Sequence, residues 1–347
     1  MTRLRSALQR KALRRLGMRD ENVVSVYEIL NRPNSPVRLV TELSTTSVDS
    51  WLDDRSGLTQ PVAHGGMRVF ELMEGIVDLK YGAVFLPTGQ LIAESTVWEP
   101  LRSLMNNPVP PTQGTEEYLE GYSVFPSSSY YHFLLEDLPH VMRILRQYPT
   151  RHMICQHNAP AYVVEACLRL TGALEQTPLS HLRVRNYPFI SFGSPSGWPI
   201  PQTVDLVRRI GKEWSSSHHP QPEQKLYITR LTDSRSPANE LGLAEIAEEY
   251  GYVQVDAGNL SLGEQVELFG HAKSIVGVHG AGLANAIWMA KGGTVIEIMD
   301  PSYYNPCYQW LSTICGHSHT TIVNNYETPQ VVNLEAVQEA LIPGNAG

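Results

Sequence analysis

One pattern governs the second half of the chain. Between residues 226 and 300, short apolar runs rich in β-branched residues alternate with stretches of about ten residues that have helical period. "LYITR" (226–230), "YVQVDA" (252–257), "SIVGVHG" (274–280) and "TVIEIMD" (294–300) read as strands. "ANELGLAEIAEEYG" (238–251), "SLGEQVELFGHA" (261–272) and "AGLANAIWMA" (281–290) read as helices, the first ending at Gly251. Strands joined through helices run parallel, and a parallel sheet is covered on both faces. "NLEAVQEALI" (333–342) reads as a closing helix.

A looser alternation precedes it. "SYYHFLLEDLPHVMRILRQY" (129–148) reads as a helix that Pro139 must kink or interrupt near residue 135. "HMICQ" (152–156) and "LRVR" (182–185) read as strands, and "APAYVVEACLRLTGA" (159–173) and "TVDLVRRIGKEWSS" (203–216) as helices. Residues 192–202 form a Gly/Pro loop and 217–224 a linker, where a domain boundary is expected. Residues 20–120 read as irregular and β-rich, with turns at Gly82 and at Pro87 to Gly89 and a loop at 106–114. The expected fold class is α/β: two Rossmann-type parallel-sheet domains facing a cleft, with a β-rich N-terminal portion. The expected divisions are a basic segment 1–20, a first domain 21–217, a second 225–330, and a helix and tail 331–347. In open parallel sheets, ligands bind outside the carboxyl ends of the strands.

Bulk properties narrow the function classes. A chain of 347 residues suffices for two domains. Net charge is −8, which argues against a broad electrostatic grip on nucleic acid. Cys155, Cys167, Cys307 and Cys315 form no CxxC pair and read as buried reduced thiols. There is no HExxH and no Cys/His cluster, so no structural metal is expected. No run of about 20 apolar residues occurs, and residues 1–20 lack the apolar centre of a secretory signal. That segment carries seven Lys/Arg residues, with Leu4, Leu8, Leu13 and Leu16 spread around the helical wheel. A solvated terminal helix is the reading favoured. Peripheral contact with an anionic membrane is the alternative. A cytoplasmic location, at the inner face of the membrane if that contact is made, is expected.

The chemistry concentrates at "VHGAGLAN" (278–285). Amides at a helix start and the positive end of its dipole hold anions such as diphosphate. Gly280 and Gly282, with Ala281 between them, would let a phosphate approach the backbone. His279 stands at the strand's carboxyl end and offers a hydrogen bond to a phosphate or sugar oxygen. Glu297, near the end of the next strand, is placed to accept both ribose hydroxyls, as the acidic residue of a Rossmann fingerprint does. The bland reading is that the small residues only permit tight packing and that Glu297 faces solvent.

"VGVHGAGLANAIWM…VIEI" resembles the C-terminal motif of glycosyltransferase family 61. So does the order of "YYHFLLEDLP" (130–139), "LYITRLTDSRSPANE" (226–240) and "LSLGEQVELFGHAKSIVGVHGAGL" (260–283). The resemblance covers roughly residues 70 to 325. It implies two Rossmann-like domains of the GT-B type, an inverting reaction and a nucleotide-sugar donor. The first domain would then be the acceptor side and the second the donor side.

Under that implication the remaining blocks acquire roles. At about 100° per residue, His132, Glu136, His140 and Arg143 share a stripe opposite Leu134, Leu138, Val141 and Leu145. Inverting transfer needs a general base for the acceptor hydroxyl. Glu136 is the first candidate, with His132 orienting it or the acceptor. Asp137 is the second, and His132 partnered by Glu136 is the third. Arg230, at a strand end, and Arg235, in the following loop, are candidates for the diphosphate. Asn239 either caps the next helix or touches the donor, and Gln265 is a weaker candidate for the base or ribose. Ser261 and Glu264 form a capping box, a structural role.

The chain has no DxD motif, so the leaving diphosphate is expected to be neutralised by the helix dipole, arginine and His279 without a metal. No cofactor is expected, because the nucleotide sugar is a substrate. The expected function is transfer from a UDP-sugar or similar donor to a hydroxyl of a glycan or glycolipid acceptor in surface polysaccharide synthesis. The main alternative is an NAD(P)-dependent oxidoreductase. Against it, the third glycine position of the fingerprint is Asn285 and the motif falls on the third strand of its domain. A non-catalytic nucleotide- or sugar-binding protein is the second alternative. No GxSxG occurs, which disfavours a serine hydrolase.

Overall fold

The structure, a computed structural model, describes residues 23–43, 51–53, 58–60, 67–95, 118–191, 197–215, 223–230, 236–300, 304–323 and 331–342. Among the sequence expectations, the basic segment 1–20, the loop 106–114, most of the 217–224 linker and Arg235 lie outside these residues. The chain forms two units. One takes residues 1–52, 58–128 and 136–196; the other takes 53–57, 129–135 and 197–347.

The first unit holds strands β1 (Val23–Val24), β2 (Val37–Glu42), β5 (Arg68–Asp78), β6 (Val84–Phe85), β7 (Leu91–Ile92), β8 (Leu119–Glu120), β9 (Tyr122–Val124), β10 (His152–Gln156), β11 (Glu175–Thr177) and β12 (His181–Ile190). A small pair, β3 (Trp51–Asp53) with β4 (Leu58–Gln60), stands apart. The main sheet runs β1-β7-β6-β5-β12-β8, with β2 also on β5. Its centre is the long antiparallel pair of β5 and β12. The residues read as a four-residue strand are thus part of a ten-residue one. The apolar "YPFI" (187–190) extends it, and Pro188 is tolerated because it lies beyond the two residues that β8 pairs. The parallel sheet of this unit is the three-stranded β11-β10-β9. The first unit is therefore a mixed sheet with a small parallel one beside it, not a doubly wound parallel sheet. Its core includes Val26 and Ile29 of α1 (Val26–Leu30), with Phe70, Leu72 and Phe189. Phe70 and Phe189 stack at 5.5 Å across the central pair.

The helix read at 129–148 is three pieces. α2 (Tyr130–His132) leads into a π-helical turn, Phe133–Asp137, and then α3 (Leu138–Gln147). The wide turn falls where Pro139 withholds its N–H and crowds the carbonyl of residue 135. Further on come α4 (Ala161–Thr171), closed by Gly172 at φ 73°, and α5 (Pro201–Trp214) in the second unit.

The second unit contains β13 (Gln224–Ile228), α6 (Glu240–Glu249), β14 (Val253–Val255), α7 (Leu262–Gly270), β15 (Ala272–Val278), β16 (Thr294–Met299), α8 (Cys307–Cys315), β17 (Ser318–Val323) and α9 (Leu334–Leu341). All five strands are parallel, in the order β14-β13-β15-β16-β17. The chain steps from β13 outward to β14 and returns on the other side of β13 as β15. The direction of winding reverses there, so the β13/β15 edge is the sheet's topological switch point. α7 begins with the expected capping box, Ser261 with Glu264. The expected helix at 281–290 is instead a 3-10 segment, Ala281–Ile287. Asn285 explains part of this: its side-chain amide donates to the Gly282 carbonyl at 3.1 Å, a local bond that competes with the α-helical pattern. No helix of the described residues is long and apolar enough to cross a membrane. The four cysteines are buried free thiols.

Candidate active site

The switch point brings together the carboxyl ends of β13 and β15. Arg230 follows β13 by two residues, and His279 follows β15 directly. The Arg230 guanidinium is buried and donates through Nη1 to the His279 carbonyl at 2.5 Å. Its backbone N–H donates to Glu240 at 2.8 Å, the first residue of α6. The same carboxylate oxygen accepts from the Tyr227 hydroxyl at 2.5 Å and the Thr229 hydroxyl at 2.8 Å. Glu240 thus ties the end of β13 to α6 and fixes where the Arg230 side chain leaves the backbone.

Space explains the glycines. At Gly280, φ is 175°, extended backbone open to any residue. A Cβ there, however, would stand 2.8 Å from Arg230 Nη1. At Gly282 a Cβ would stand 2.8 Å from Ile228 Cγ2. Both glycines let the segment after β15 lie flat against the residues that end β13. The close approach that the sequence assigned to a phosphate is made, in this arrangement, by the chain's own arginine and isoleucine.

Glu297 on β16 is 0% exposed and does not face outward toward a ribose. Its Oε1 lies 2.5 Å from His279 Nδ1. Its Oε2 lies 3.2 Å from Nε2 of His319 on β17, near enough for an ion pair though off the line of a hydrogen bond. Burial works to raise the Glu297 pKa, but the hydrogen bond to His279 and the nearness of both imidazoles outweigh it and hold the carboxyl below its ordinary value. Three neighbouring strands thus deliver a His–Glu–His row. The Tyr308 ring meets His279 edge-on at 5.2 Å, its hydroxyl donates to the Gly280 carbonyl at 2.6 Å, and Tyr131 packs edge-on against it at 5.3 Å. The Cys307 thiol is pushed well up by burial and by the Glu297 charge, so it stays protonated.

The remaining sequence candidates divide. Ala281 opens the 3-10 segment. Asn239 stands at the N-cap position of α6, as expected, but its side chain makes no capping bond; its amide is bonded in both directions to the Val332 backbone at 2.8 Å. Gln265 is buried and donates to the Leu260 carbonyl at 3.2 Å. His132 is half-buried, edge-on to Tyr131 at 5.5 Å, in the second unit. Glu136 and Asp137 belong to the first unit. The π turn upsets the expected stripe: every residue from Phe133 to Pro139 is buried, Glu136 being 6% exposed. The Asp137 carboxylate accepts from the Ser128 hydroxyl, and burial, helped by the Asp137 charge, pushes the Tyr162 hydroxyl up to about 12. Among the described residues no group of His, Cys, Asp and Glu could hold a metal ion.

Residues 130–296 match the family model described as Glycosyltransferase 61. This region belongs to glycosyltransferase family 61. It begins at Tyr130 and takes in Glu136, Arg230 and His279, ending one residue before Glu297. The chain is also similar to the protein O-linked-mannose β-1,4-N-acetylglucosaminyltransferase 2 of mouse, 31% identical over 120 residues, covering 32% of this chain and 20% of that protein. With the dog protein of the same name it is 30% identical over 109 residues, covering 29% of this chain and 19% of that protein. The match spans about a fifth of the length of these relatives.

The family whose model matches this stretch is one of glycosyltransferases. Four residues that matter to this geometry are missing from the sequence candidates: Glu240, His319, Tyr308 and Asn285 in its core role. Glu240 carries a signal in the sequence, an acidic residue at the start of a helix after a strand. His319 carries a weaker one, the β-branched run "TTIV" (320–323) that follows it.

Proposed function

We propose that the chain is an inverting glycosyltransferase of the GT-B type. It moves a sugar from a nucleoside-diphosphate donor, most simply a UDP-sugar, to a hydroxyl of a glycan or glycolipid in surface polysaccharide synthesis. The observation that supports this best is the cationic corner at the switch point, where Arg230 lies over Gly280 and bonds the His279 carbonyl. A diphosphate needs such a corner beside exposed amides. In the reaction the acceptor oxygen forms a bond to the anomeric carbon on the face opposite the leaving group. The bond from that carbon to the phosphate oxygen breaks, and its electron pair leaves with the nucleoside diphosphate. Arg230, Arg235 and His279 offset the charge that builds there. Gly280, Ala281 and Gly282 supply the backbone wall.

Glu136 takes the acceptor proton, with His132 as its helper. Asp137 is the lesser candidate, because its carboxylate is engaged by Ser128. The reading needs no metal. The relatives' name adds N-acetylglucosamine to the sugars worth testing first.

The test is a donor screen that reads released nucleotide, joined to thermal shifts with UDP, GDP and NAD. Stabilisation by UDP, and turnover of a UDP-sugar that survives EDTA, are the expected results. A shift with NAD alone would move the assignment to the oxidoreductase class. Turnover lost in EDTA and restored by manganese would overturn the metal-free mechanism.

A further inference from the structure

We infer that Glu297 and His319 are positioning residues that set the tautomer and the ring orientation of His279. The inference rests on the transferase reading above, because it gives His279 a ligand to meet.

The hydrogen bonds of the ring decide where its proton sits. A carboxylate only accepts, so a ring nitrogen bonded to it carries the proton. Glu297 is fully buried and held in its charged form, and its Oε1 is 2.5 Å from His279 Nδ1. His279 therefore bears its proton on Nδ1, and any ligand of that ring meets Nε2. The other carboxylate oxygen faces His319 Nε2 at 3.2 Å. His319 Nδ1 in turn lies 3.4 Å from the Thr321 hydroxyl, which has a proton to donate. A proton on His319 Nε2, facing Glu297, leaves the Nδ1 lone pair for the Thr321 hydroxyl.

Orientation follows from packing. Tyr308 closes on the His279 ring edge-on, and its own hydroxyl is anchored on the Gly280 carbonyl. Glu297 is itself clamped, one oxygen to an imidazole on each side, in a sheet that fixes its backbone through five paired residues on β15 and six on β17. This is how partners behind a working histidine fix its ring and tautomer in other sites. His319 lies beyond the family match and has no role in the sequence reading; here it holds the carboxylate that holds the histidine.

The test is 15N NMR of the full chain carrying 15N-labelled histidine, with the His279 signals assigned by their loss in His279→Gln. The wild-type ring is expected to show protonated Nδ1. Glu297→Gln should shift His279 toward a mixture of tautomers, and His319→Gln should do so less. In turnover assays both variants should lose kcat, by roughly 10- to 100-fold for Glu297→Gln, with the donor KM changed little. Glu297→Asp, which keeps the charge, should recover part of the loss.

A wild-type His279 protonated on Nε2 overturns the inference, and this stands even if a variant fails to fold. So does a Glu297→Gln chain with an unchanged tautomer and kcat within about 3-fold of wild type. If the wild-type chain binds no nucleoside diphosphate and transfers no sugar, the transferase reading fails. The NMR result then still decides who holds the ring.

Discussion

The Tyr130 hydroxyl donates to Asn285 Oδ1 at 2.8 Å, joining residues 155 positions apart in the chain. The Asn285 amide donates in turn to Gln265 Oε1 at 2.8 Å and to the Gly282 carbonyl at 3.1 Å, and Gln265 donates to the Leu260 carbonyl. Asn285 is 0% exposed. A position that a dinucleotide fingerprint fills with glycine is here the centre of a satisfied polar network. The network pins the 3-10 segment to both α2 and α7.

Replacing that centre should be costly. In Asn285→Leu, the Tyr130 hydroxyl and Gln265 Oε1 lose their bonds to Asn285 in a buried site, a loss on the order of 3 kcal/mol. Tyr130→Phe removes one bond and should cost about 1 kcal/mol. Urea unfolding of the two variants, compared through midpoints at constant slope, checks the ranking. Equal midpoints would show that the network does not hold the segment.

The two glycines should answer differently to a methyl group. In Gly282→Ala the new Cβ meets the branched side chain of Ile228 inside the sheet edge, at a cost of about 1–3 kcal/mol. In Gly280→Ala it meets the tip of a long arginine, which can swing aside. Stability should change little there, while the guanidinium leaves the His279 carbonyl and the donor KM rises roughly tenfold. Thermal melts and donor titrations of both variants separate the effects. A Gly280→Ala enzyme with an unaltered KM would remove Arg230 from the donor site.

Acid should weaken both units before their carboxylates titrate. Burial, helped by the Arg208 charge, pushes His317 down to about 4, and burial, helped by Arg143, pushes His140 down to about 3. An unfolded histidine titrates near 6.5, so between those values the unfolded chain binds more protons than the folded one. The stability the neutral rings contribute is complete above pH 6.5 and falls as pH drops toward 4. For His317 the full loss is on the order of 3 kcal/mol. Denaturation midpoints at pH 7, 5.5 and 4.5 should decline, and His317→Gln should flatten the slope. A flat wild-type profile over this range would show that these rings are not buried neutral.

The two carboxylates of the π turn should part in kinetics. Glu136→Gln is expected to lower kcat by at least roughly 100-fold, the usual scale for a lost general base, with UDP binding near normal. Asp137→Asn disturbs the Ser128 bond and should reduce stability more than turnover. Turnover of Glu136→Gln within a few-fold of wild type moves the base elsewhere.

The second unit was largely legible. The β-branched runs at 274–278 and 294–299 are strands, and the Ser261/Glu264 signature opens a helix, because local chemistry decides both. Pro139 likewise announced the break at Phe133–Asp137. Local chemistry did not decide what Glu297 faces. An acidic residue near a strand end reads as a ligand for a ribose; only β17 alongside it, with His319, turns it inward. Nor did small residues at 280 and 282 say whether a phosphate or a side chain fills the space they leave. That depends on Arg230 and Ile228, some fifty positions earlier. The long β12 was missed for the same kind of reason: its partner β5 lies more than a hundred residues upstream.

The buried acid row also has a bearing on how the sheet assembles. His279, Glu297 and His319 arrive from three neighbouring strands, and side chains alternate faces along each strand. A slip of one residue in β16 would turn Glu297 to the far side and replace it with an isoleucine, stranding a charge in an apolar layer. The alignment of β15, β16 and β17 is thereby checked by electrostatics, and the row that orients an imidazole also rejects misassembled sheets.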